Sequence, residues 1–307
     1  MVSLTVFTPA YNRAHTIWRT YESLCRQSSK EFEWLVIDDG STDGTRELVS
    51  SWISGQPEPT EDFEGFCDAG FKIRYIWKEN GGLHTGYNTA YANIDTELCV
   101  CIDSDDWMPD DAVEKIIHCW NERGGRQYAG IMGLDFDTDG NPLGGYFPEG
   151  LTETYFLDMY IKNIHRADSK EVMRTDLMKR VAPQVGFDGE KNFNPVYMLL
   201  QVCDDYPLLV LNENLCIVEY QQDDSMSRGI YRQYVNSPRS FAKLRLLEMQ
   251  LKRNTFKNRF RSAIHYVSSC IIAKDKQWLK NTPNKMLVLA AAPIGLALSV
   301  FIKYKAG

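Results

Sequence analysis

The 307-residue chain has no C-x-x-C pair among its eight cysteines, and no two Cys/His clusters stand at zinc-ligand spacing. A structural zinc module is therefore not expected. No secretory leader precedes the strand-like Val2-Ser3-Leu4-Thr5-Val6-Phe7, so the cysteines are expected to be reduced thiols in the cytoplasm. No internal repeat is evident. Positive charge is not in excess: the formal net charge is −7, which argues against nucleic acid as a partner. What the chain does have is 44% apolar and 24% charged residues, ordinary for a globular protein with a sizeable core. Its length accommodates one large α/β domain with an appendage, or two modest domains.

Apolar runs alternate with helical patterns over the first half. Leu4 to Thr8 reads as a strand stopped by Pro9-Ala10-Tyr11-Asn12, followed by a helix over His15 to Gln27. Glu33 to Asp38 is a second strand ending in Asp38-Asp39, and the turn Gly40 to Gly44 leads into a helix through Trp52, with Ser41 or Thr42 as its N-cap. Ser54 to Gly70 reads as a surface excursion. Ile73 to Trp77 is a third strand, and Lys78 to Gly86 feeds a helix to Asn93. Leu98 to Ile102 is a fourth strand, Pro109 to Asn121 its helix, and Ala129 to Leu134 a fifth strand. Such alternation predicts a mostly parallel sheet with helices on both faces. Cys99 and Cys101 share one face of their strand. Beyond Asp135 the pattern loosens: Tyr155 to Asn163 and Asn194 to Val202 look helical, while Glu171 to Thr175, Leu208 to Leu211 and Cys216 to Tyr220 look strand-like.

The fourth strand delivers Asp103-Ser104-Asp105-Asp106 to the sheet edge where ligands of open α/β sheets bind. Taken alone, this cluster reads equally as a solvated turn capping the next helix or as a carboxylate group in need of a cation. Its neighbours decide in favour of the cation, leaving Asp106 as the helix-capping member. Asp38 and Asp39 end another strand, where either accepts hydrogen bonds from a base or ribose, or caps a helix. The Gly81-Gly82 turn lets backbone approach a bulky anion, with Lys78 adding a cation and a helix N-terminus following. His84 either donates to a diphosphate or caps that helix. Asp103 and Asp105 supply hard oxygen ligands suited to Mg²⁺ or Mn²⁺ bridging a diphosphate. Trp107 is either a floor for a sugar or packing at the sheet edge.

Val6-Phe7-Thr8-Pro9-Ala10-Tyr11-Asn12, Val36 to Thr45, Asn80 to Asn88 and Asp103 to Asp106 together resemble the motif series of family 2 glycosyltransferases. The resemblance covers roughly the first two thirds of the chain and extends to bacterial capsule and cell-wall members. It implies a GT-A fold over residues 1–222, with a nucleotide-sugar half to about 135 and an acceptor half to 222. It further implies an inverting enzyme that takes a nucleotide-diphosphate sugar, a UDP-sugar, and uses Mn²⁺ or Mg²⁺. By this resemblance Thr8, Pro9, Ala10, Asn12, Asp38, Asp39, Lys78, Gly81, Gly82, His84, Asn88, Asp103 and Ser104 contact the donor, and Asp105, with Asp103, holds the metal. His165 to Thr175 and Asp188 to Pro195 resemble later segments of such relatives, the second carrying acidic residues near the acceptor. Where many relatives have a glutamate after the proline, this chain has Val196. A base is still needed to take the acceptor hydroxyl proton, and Glu190 is the first choice, Asp188 the second. Asp223 to Arg228 resembles the loop that closes over the donor, with Ser225, Ser227 or Arg228 near the phosphates; it reads equally as a polar linker.

Two other readings compete. A nucleotidyltransferase uses a similar sheet and metal, but its Gly-rich, Arg/Lys-containing loop is missing after the first strand, where Pro9-Ala10-Tyr11-Asn12 stand. A catalytically silent nucleotide-sugar-binding subunit of a synthase complex is kept open by Val196.

Residues 223–307 form a separate, helical region. From Phe241 to Lys280 basic residues interleave with apolar ones, and Met286 to Ile302 is an uninterrupted apolar run flanked by Lys285, Lys303 and Lys305. As a helix this run spans about 25 Å, a little short of a bilayer core of roughly 30 Å. The expectation is a segment lying in, or dipping into, a membrane surface. The alternative is a helical hairpin packed on the main domain or on another subunit of a homo-oligomer. Together these features predict a cytoplasmic protein held peripherally at the inner face of the cell membrane, near a glycan or lipid-linked acceptor.

Overall fold

The computed structural model describes residues 3–55, 58–219 and 229–307. Strands β1 (Leu4–Ala10), β2 (Phe32–Asp38), β4 (Lys72–Trp77) and β5 (Leu98–Cys101) form a parallel block in the order β4-β2-β1-β5, so their carboxyl ends share one edge. Side chains alternate across it. Leu4, Val6, Trp34, Val36 and Val100 enter one buried cluster, while Phe7, Leu35, Ile37 and Cys99 enter another on the opposite face, with Cys101 packed beside Cys99. Helices α1 (Ile17–Arg26), α2 (Thr45–Ser51) and α4 (Ala112–Arg123) bury residues in the first cluster; α3 (Leu83–Asn93) buries residues in the second. All eight cysteines are free.

The other pairings make the nine-stranded sheet mixed: β3 (Asp62–Phe66) on β4, β8 (Ser169–Arg174) between β5 and β6 (Gly130–Phe136), and β7 (Glu153–Thr154) on β9 (Leu208–Ile217) are antiparallel, and β6 with β9 is parallel. Several boundaries differ from expectation. Pro9 does not stop β1, because a proline at a strand end lacks only a donor and the backbone pairs on to Ala10. The excursion after Ser54 contains edge strand β3, in which Phe63 alone is buried, so its alternation is faint. The two strands expected over Leu208 to Tyr220 are one strand with register shifts in its pairing to β6. Thr175 ends no strand but opens α6 (Thr175–Val181). The N-cap of α2 is Gly44, in the left-handed conformation, rather than Ser41 or Thr42.

After α5 (Phe156–Ile161) and α7 (Val196–Cys203) the chain ends in helices α8 (Ile230–Asn236), α9 (Pro238–Glu248), α10 (Phe256–Ile272) and α11 (Lys285–Ala306). Residues 220–228, which include the expected closing loop and its Ser225, Ser227 and Arg228, lie outside the described residues. Helices α9, α10 and α11 share their own core around Met249, Ala263, Tyr266, Val267, Val288 and Ala291. Gly295 marks the close approach of α11 to α10, since a Cβ there would sit 2.6 Å from the Cβ of Val267. At 22 residues α11 is about 33 Å long, longer than its apolar run suggests, because the helix continues through the flanking lysines.

Candidate functional site

The loops that leave β1, β2 and β4 are fastened to one another. Asn12, with φ +54°, donates its backbone N–H to Ser41 Oγ (2.8 Å) and accepts the Thr42 N–H on Oδ1 (2.8 Å). Asp38 is fully buried, and its carboxylate accepts the Ser41 N–H (2.7 Å) and the Tyr75 hydroxyl. It therefore closes the turn after β2. Asp43 accepts from the Thr45 hydroxyl (2.5 Å) and from the N–H groups of Ala14 (3.0 Å) and Thr45 (3.2 Å), and these bonds outweigh burial in holding its carboxyl below the usual range.

Asp39 departs most from expectation. Its carboxylate accepts the N–H of Gly81 (2.9 Å) and Gly82 (2.8 Å) and pairs with Lys78, while its backbone carbonyl accepts from Asn80 Nδ2 (2.8 Å). The glycine turn expected to offer its N–H groups to a substrate anion is thus filled by an internal carboxylate. Gly82 has φ +91°, and a Cβ there would fall 2.0 Å from the Lys191 carbonyl oxygen, so no other residue fits this approach.

Other expected donor contacts are also committed within the fold. Thr8 is fully buried, its hydroxyl accepting from Trp34 Nε1 (3.0 Å). Ala10 is buried and its carbonyl accepts the Asp39 N–H (2.8 Å), while Pro9 packs beside Gly86 of α3. His84 is buried, its Nδ1 lacks a hydrogen-bond partner, burial lowers its pKa, and the N-cap of α3 is Gly82 rather than this residue. Asn88 is a tether, donating Nδ2 to the Gln184 carbonyl (2.9 Å) and accepting the Gln184 N–H (2.7 Å).

At the end of β5, Asp103 is exposed, Asp105 half-buried, and Ser104 and Asp106 buried. Asp106 does not cap α4, whose N-cap is Asp111; it turns inward to an acidic group that sequence reasoning missed. This group comprises Asp135 at the end of β6 and Lys170 on β8, whose Nζ stands 3.8 Å from Asp135 Oδ1. Burial, with Asp103 beside it, raises the Asp105 carboxyl; the charges of Arg13 and Arg19 oppose the rise. Burial pushes Asp106 up to about 8 despite Lys170 and raises Asp135 as well. Burial works against the Lys170 charge, yet Asp135, Asp106 and Asp103 hold its pKa above normal. The missed signal was Leu134-Asp135, another apolar run ended by an acid, joined by a lysine inside a strand pattern. Trp107 serves the sheet edge, exchanging two backbone hydrogen bonds with Ile217 (3.2 and 2.7 Å). The Arg19 guanidinium lies 5.8 Å from the centre of its ring.

Among the described residues no three His, Cys, Asp or Glu side chains gather as a ready metal cage. Asp103 and Asp105 form a pair of crowded, incompletely neutralised carboxylates with hard oxygen donors. That fits a Mg²⁺- or Mn²⁺-type ion sharing its coordination with water and substrate phosphate.

In metal-free protein, Asp106 also predicts a pH effect on stability. A carboxyl raised from 3.8 to about 8 on folding favours the folded state fully below pH 3.8, and this contribution is lost as pH rises through about 8. Asp106→Asn is therefore expected to gain stability over the native chain progressively between those values. Urea unfolding with chelator at pH 5 and pH 8.5 measures it, and an equal difference at both would refute it.

The segment thought to carry the base is divided. Glu190 is buried, and its carboxylate accepts four hydrogen bonds: from Arg239 N (3.0 Å) and Nε (3.1 Å), and from Ser240 N (2.8 Å) and Oγ (2.7 Å). It caps the first turn of α9. Both Glu190 oxygens, expected to supply the base, are thus engaged with the start of α9. Asp188, two residues earlier, is exposed.

The sequence model described as Glycosyl transferase family 2 matches residues 5–174, more than half of the chain. The chain belongs to the family 2 glycosyltransferases. Among curated relatives, Glycosyltransferase GlyA of Streptococcus pneumoniae is 31% identical over 113 residues, covering 37% of this chain and 14% of that protein. The putative teichuronic acid biosynthesis glycosyltransferase TuaG of Bacillus subtilis is 29% identical over 152 residues, covering 48% of this chain and 54% of that one. These matches span between 14% and 54% of the relatives' own lengths. Among solved structures, S. aureus TarS 1–349 in complex with UDP-GlcNAc superposes with a TM-score of 0.60 at 16% identity, covering 94% of this chain and 79% of that one. The mannosyltransferase PcManGT from Pyrobaculum calidifontis in complex with GDP-Man and Mn²⁺ gives 0.54 at 16% identity, covering 99% and 75%. Both share the fold. This family 2 member is thus an enzyme on a GT-A-like α/β frame, with a C-terminal apolar helix that is a candidate for membrane association.

Proposed function

We propose that this glycosyltransferase moves a sugar from a nucleotide-diphosphate donor, a UDP-sugar, to a hydroxyl of a glycan or lipid-linked saccharide, inverting the anomeric centre. The observation that carries the reading is the placement of Asp103 and Asp105 beside one another at the carboxyl edge shared by β4, β2, β1 and β5. The UDP-GlcNAc bound by TarS supports the donor class. Asp105, with Asp103, would hold Mn²⁺ or Mg²⁺, which when bound neutralises charge on the leaving diphosphate. Asp38, Asp39 and Asn12 do not chelate the donor through free side chains; they hold the loop ends rigid beneath the nucleoside.

In the reaction the acceptor oxygen bonds to the anomeric carbon as that carbon's bond to the diphosphate oxygen breaks. Asp188 takes the hydroxyl proton, for a contribution of about 10²–10⁴-fold. Nucleoside diphosphate, not pyrophosphate, is the co-product, which separates this reading from a nucleotidyltransferase. Assay of purified protein with nucleotide sugars and Mn²⁺ tests it. Donor binding without release of nucleoside diphosphate would instead support the silent-subunit reading, which the saturation of Glu190 favours.

Residues 223–307 are proposed to seat the enzyme peripherally on the inner face of the cell membrane. Only 28% of the most apolar window of α11 is buried. Val288, Ala291, Gly295, Ser299 and Ile302 form its packed stripe, leaving Leu289, Ile294, Leu296, Val300 and Phe301 outside, with Lys285, Lys303 and Lys305 at the ends. That is an apolar surface bracketed by cations, suited to an anionic lipid interface. Charging it by the paired substitution Leu296→Glu and Val300→Glu is expected to move most of the protein from sedimenting anionic vesicles to the supernatant. Unchanged sedimentation would refute the membrane seat.

A further inference from the structure

We infer that Glu190 is a positioning residue: by capping α9 it fastens segment 184–192, with Asp188 upon it, between the C-terminal helices and the glycine turn. This rests on the proposed glycosyl transfer only for what Asp188 does, not for the fastening.

The fastening has two sides. On the side of the C-terminal helices, Glu190 takes the N–H groups of Arg239 and Ser240, the second and third residues of α9, and the Ser240 hydroxyl. Arg239 returns the contact, donating to the Asp188 carbonyl (2.5 Å) and lying 5.3 Å from the centre of the Phe187 ring. The Asn192 N–H reaches Ser237 Oγ (3.3 Å). On the side of the sheet edge, Lys191 pairs with Asn80 Oδ1 and its carbonyl rests against Gly82. A Cβ on Gly186 would stand 2.3 Å from His84 Nε2, and Gln184 is held by Asn88. Gly189, with φ +79°, lets the chain turn between the exposed Asp188 and the buried Glu190. Two acids separated by one glycine thus face opposite ways, one to solvent and one into a helix end. The same Gly82 that meets Lys191 donates its N–H to Asp39, so α9 and the donor-side turn are braced through one short segment.

The Glu190 carboxylate is what α9 requires, since the first-turn N–H groups of a helix have no intrahelical partner. Ser237, the N-cap residue, makes no side-chain capping bond of its own. A carboxylate also suits the positive end of the helix dipole.

The test compares Glu190→Gln, Glu190→Ala and Asp188→Asn in the full chain, by amide hydrogen exchange and by the pH profile of kcat. The fastening predicts that Glu190→Ala speeds exchange in residues 187–192 and in the first turn of α9, and lowers kcat about 10²-fold through misplacement. Its acid limb in pH should persist. Glu190→Gln, which keeps one accepting oxygen, should recover at least about 10-fold of that loss. Asp188→Asn should leave exchange unchanged and remove the acid limb. If Glu190→Ala proves too unstable, Arg239→Ala, which spares the carboxylate, should still speed exchange in residues 187–192. Glu190→Gln that is inactive, has lost the acid limb and exchanges as the native protein does would overturn the inference and make Glu190 the base. Exchange unchanged in Glu190→Ala and Arg239→Ala would overturn it outright. Native protein that transfers no sugar while both variants exchange faster would refute the proposed reaction and leave the fastening standing.

Discussion

Asp105→Asn is expected to lower the rate of sugar transfer about 10³-fold and, at the same time, to raise the melting temperature of the metal-free protein. The two effects have one origin. Burial and the neighbouring Asp103 charge disfavour the ionised Asp105 carboxyl, and Arg13 and Arg19 offset this only in part. Removing the charge relieves the folded state. The same charge is what would hold a divalent ion against the donor diphosphate, and Lewis-acid stabilisation of a leaving phosphate contributes several kcal/mol, or about 10³-fold at 1.4 kcal/mol per decade. A site built for fold stability would behave oppositely, losing both properties or neither. Steady-state kinetics with and without Mn²⁺, beside a thermal melt in chelator, measure both. Loss of stability together with normal turnover would contradict the role given to Asp105.

Asp39→Ala is expected to destabilise the protein by about 3–5 kcal/mol, a large share of the usual margin of 5–15. Its carboxylate is 9% exposed and receives Gly81, Gly82 and Lys78 together, so truncation strands two backbone donors and leaves the Lys78 ammonium with the Glu79 carbonyl but without its counter-charge. The reverse truncation, Lys78→Met, should cost clearly less, because the two glycine N–H groups still satisfy the carboxylate. Urea unfolding gives both values. Equal losses for the two variants would mean that the ion pair, rather than the cradle of N–H groups, carries the stabilisation. Donor affinity should fall in Asp39→Ala as well, since the turn proposed to lie beneath the nucleoside loses its anchor.

These two residues show what could be read from the sequence. An apolar run ended at once by an acid identified β2 and β5, and the repetition of that pattern placed Asp38, Asp39, Asp103 and Asp105 at one edge. The rule was strong because a parallel strand is buried on both faces and its carboxyl end is where polarity resumes. The partner of each acid was not legible. Asp39 lies 42 positions from Gly81, and nothing local distinguishes a glycine turn awaiting a substrate anion from one already holding a carboxylate. Glu190 is harder still, because its role is fixed by a helix that starts 48 residues later, at Pro238. A charged residue in a loop looks solvated until the helix end it caps is seen. Edge strand β3 escaped because Phe63 alone is buried along it, and Lys170 because its compensating acids come from β5 and β6. In the C-terminal region the apolar run and its lysines announced α11, and the structure adds which stripe is packed and which is bare.

The central claim, that the carboxyl edge of the parallel block is the donor site, is tested most directly by a crystal structure of the full chain grown with UDP and Mn²⁺, recorded at a wavelength that reveals manganese. The expected result is a manganese anomalous peak ligated by Asp105, with Asp103, and by the diphosphate, the nucleoside lying over the Asn12 and Asp39 loops. Manganese and UDP bound elsewhere, or UDP seated on the Gly81-Gly82 N–H groups in place of Asp39, would contradict it.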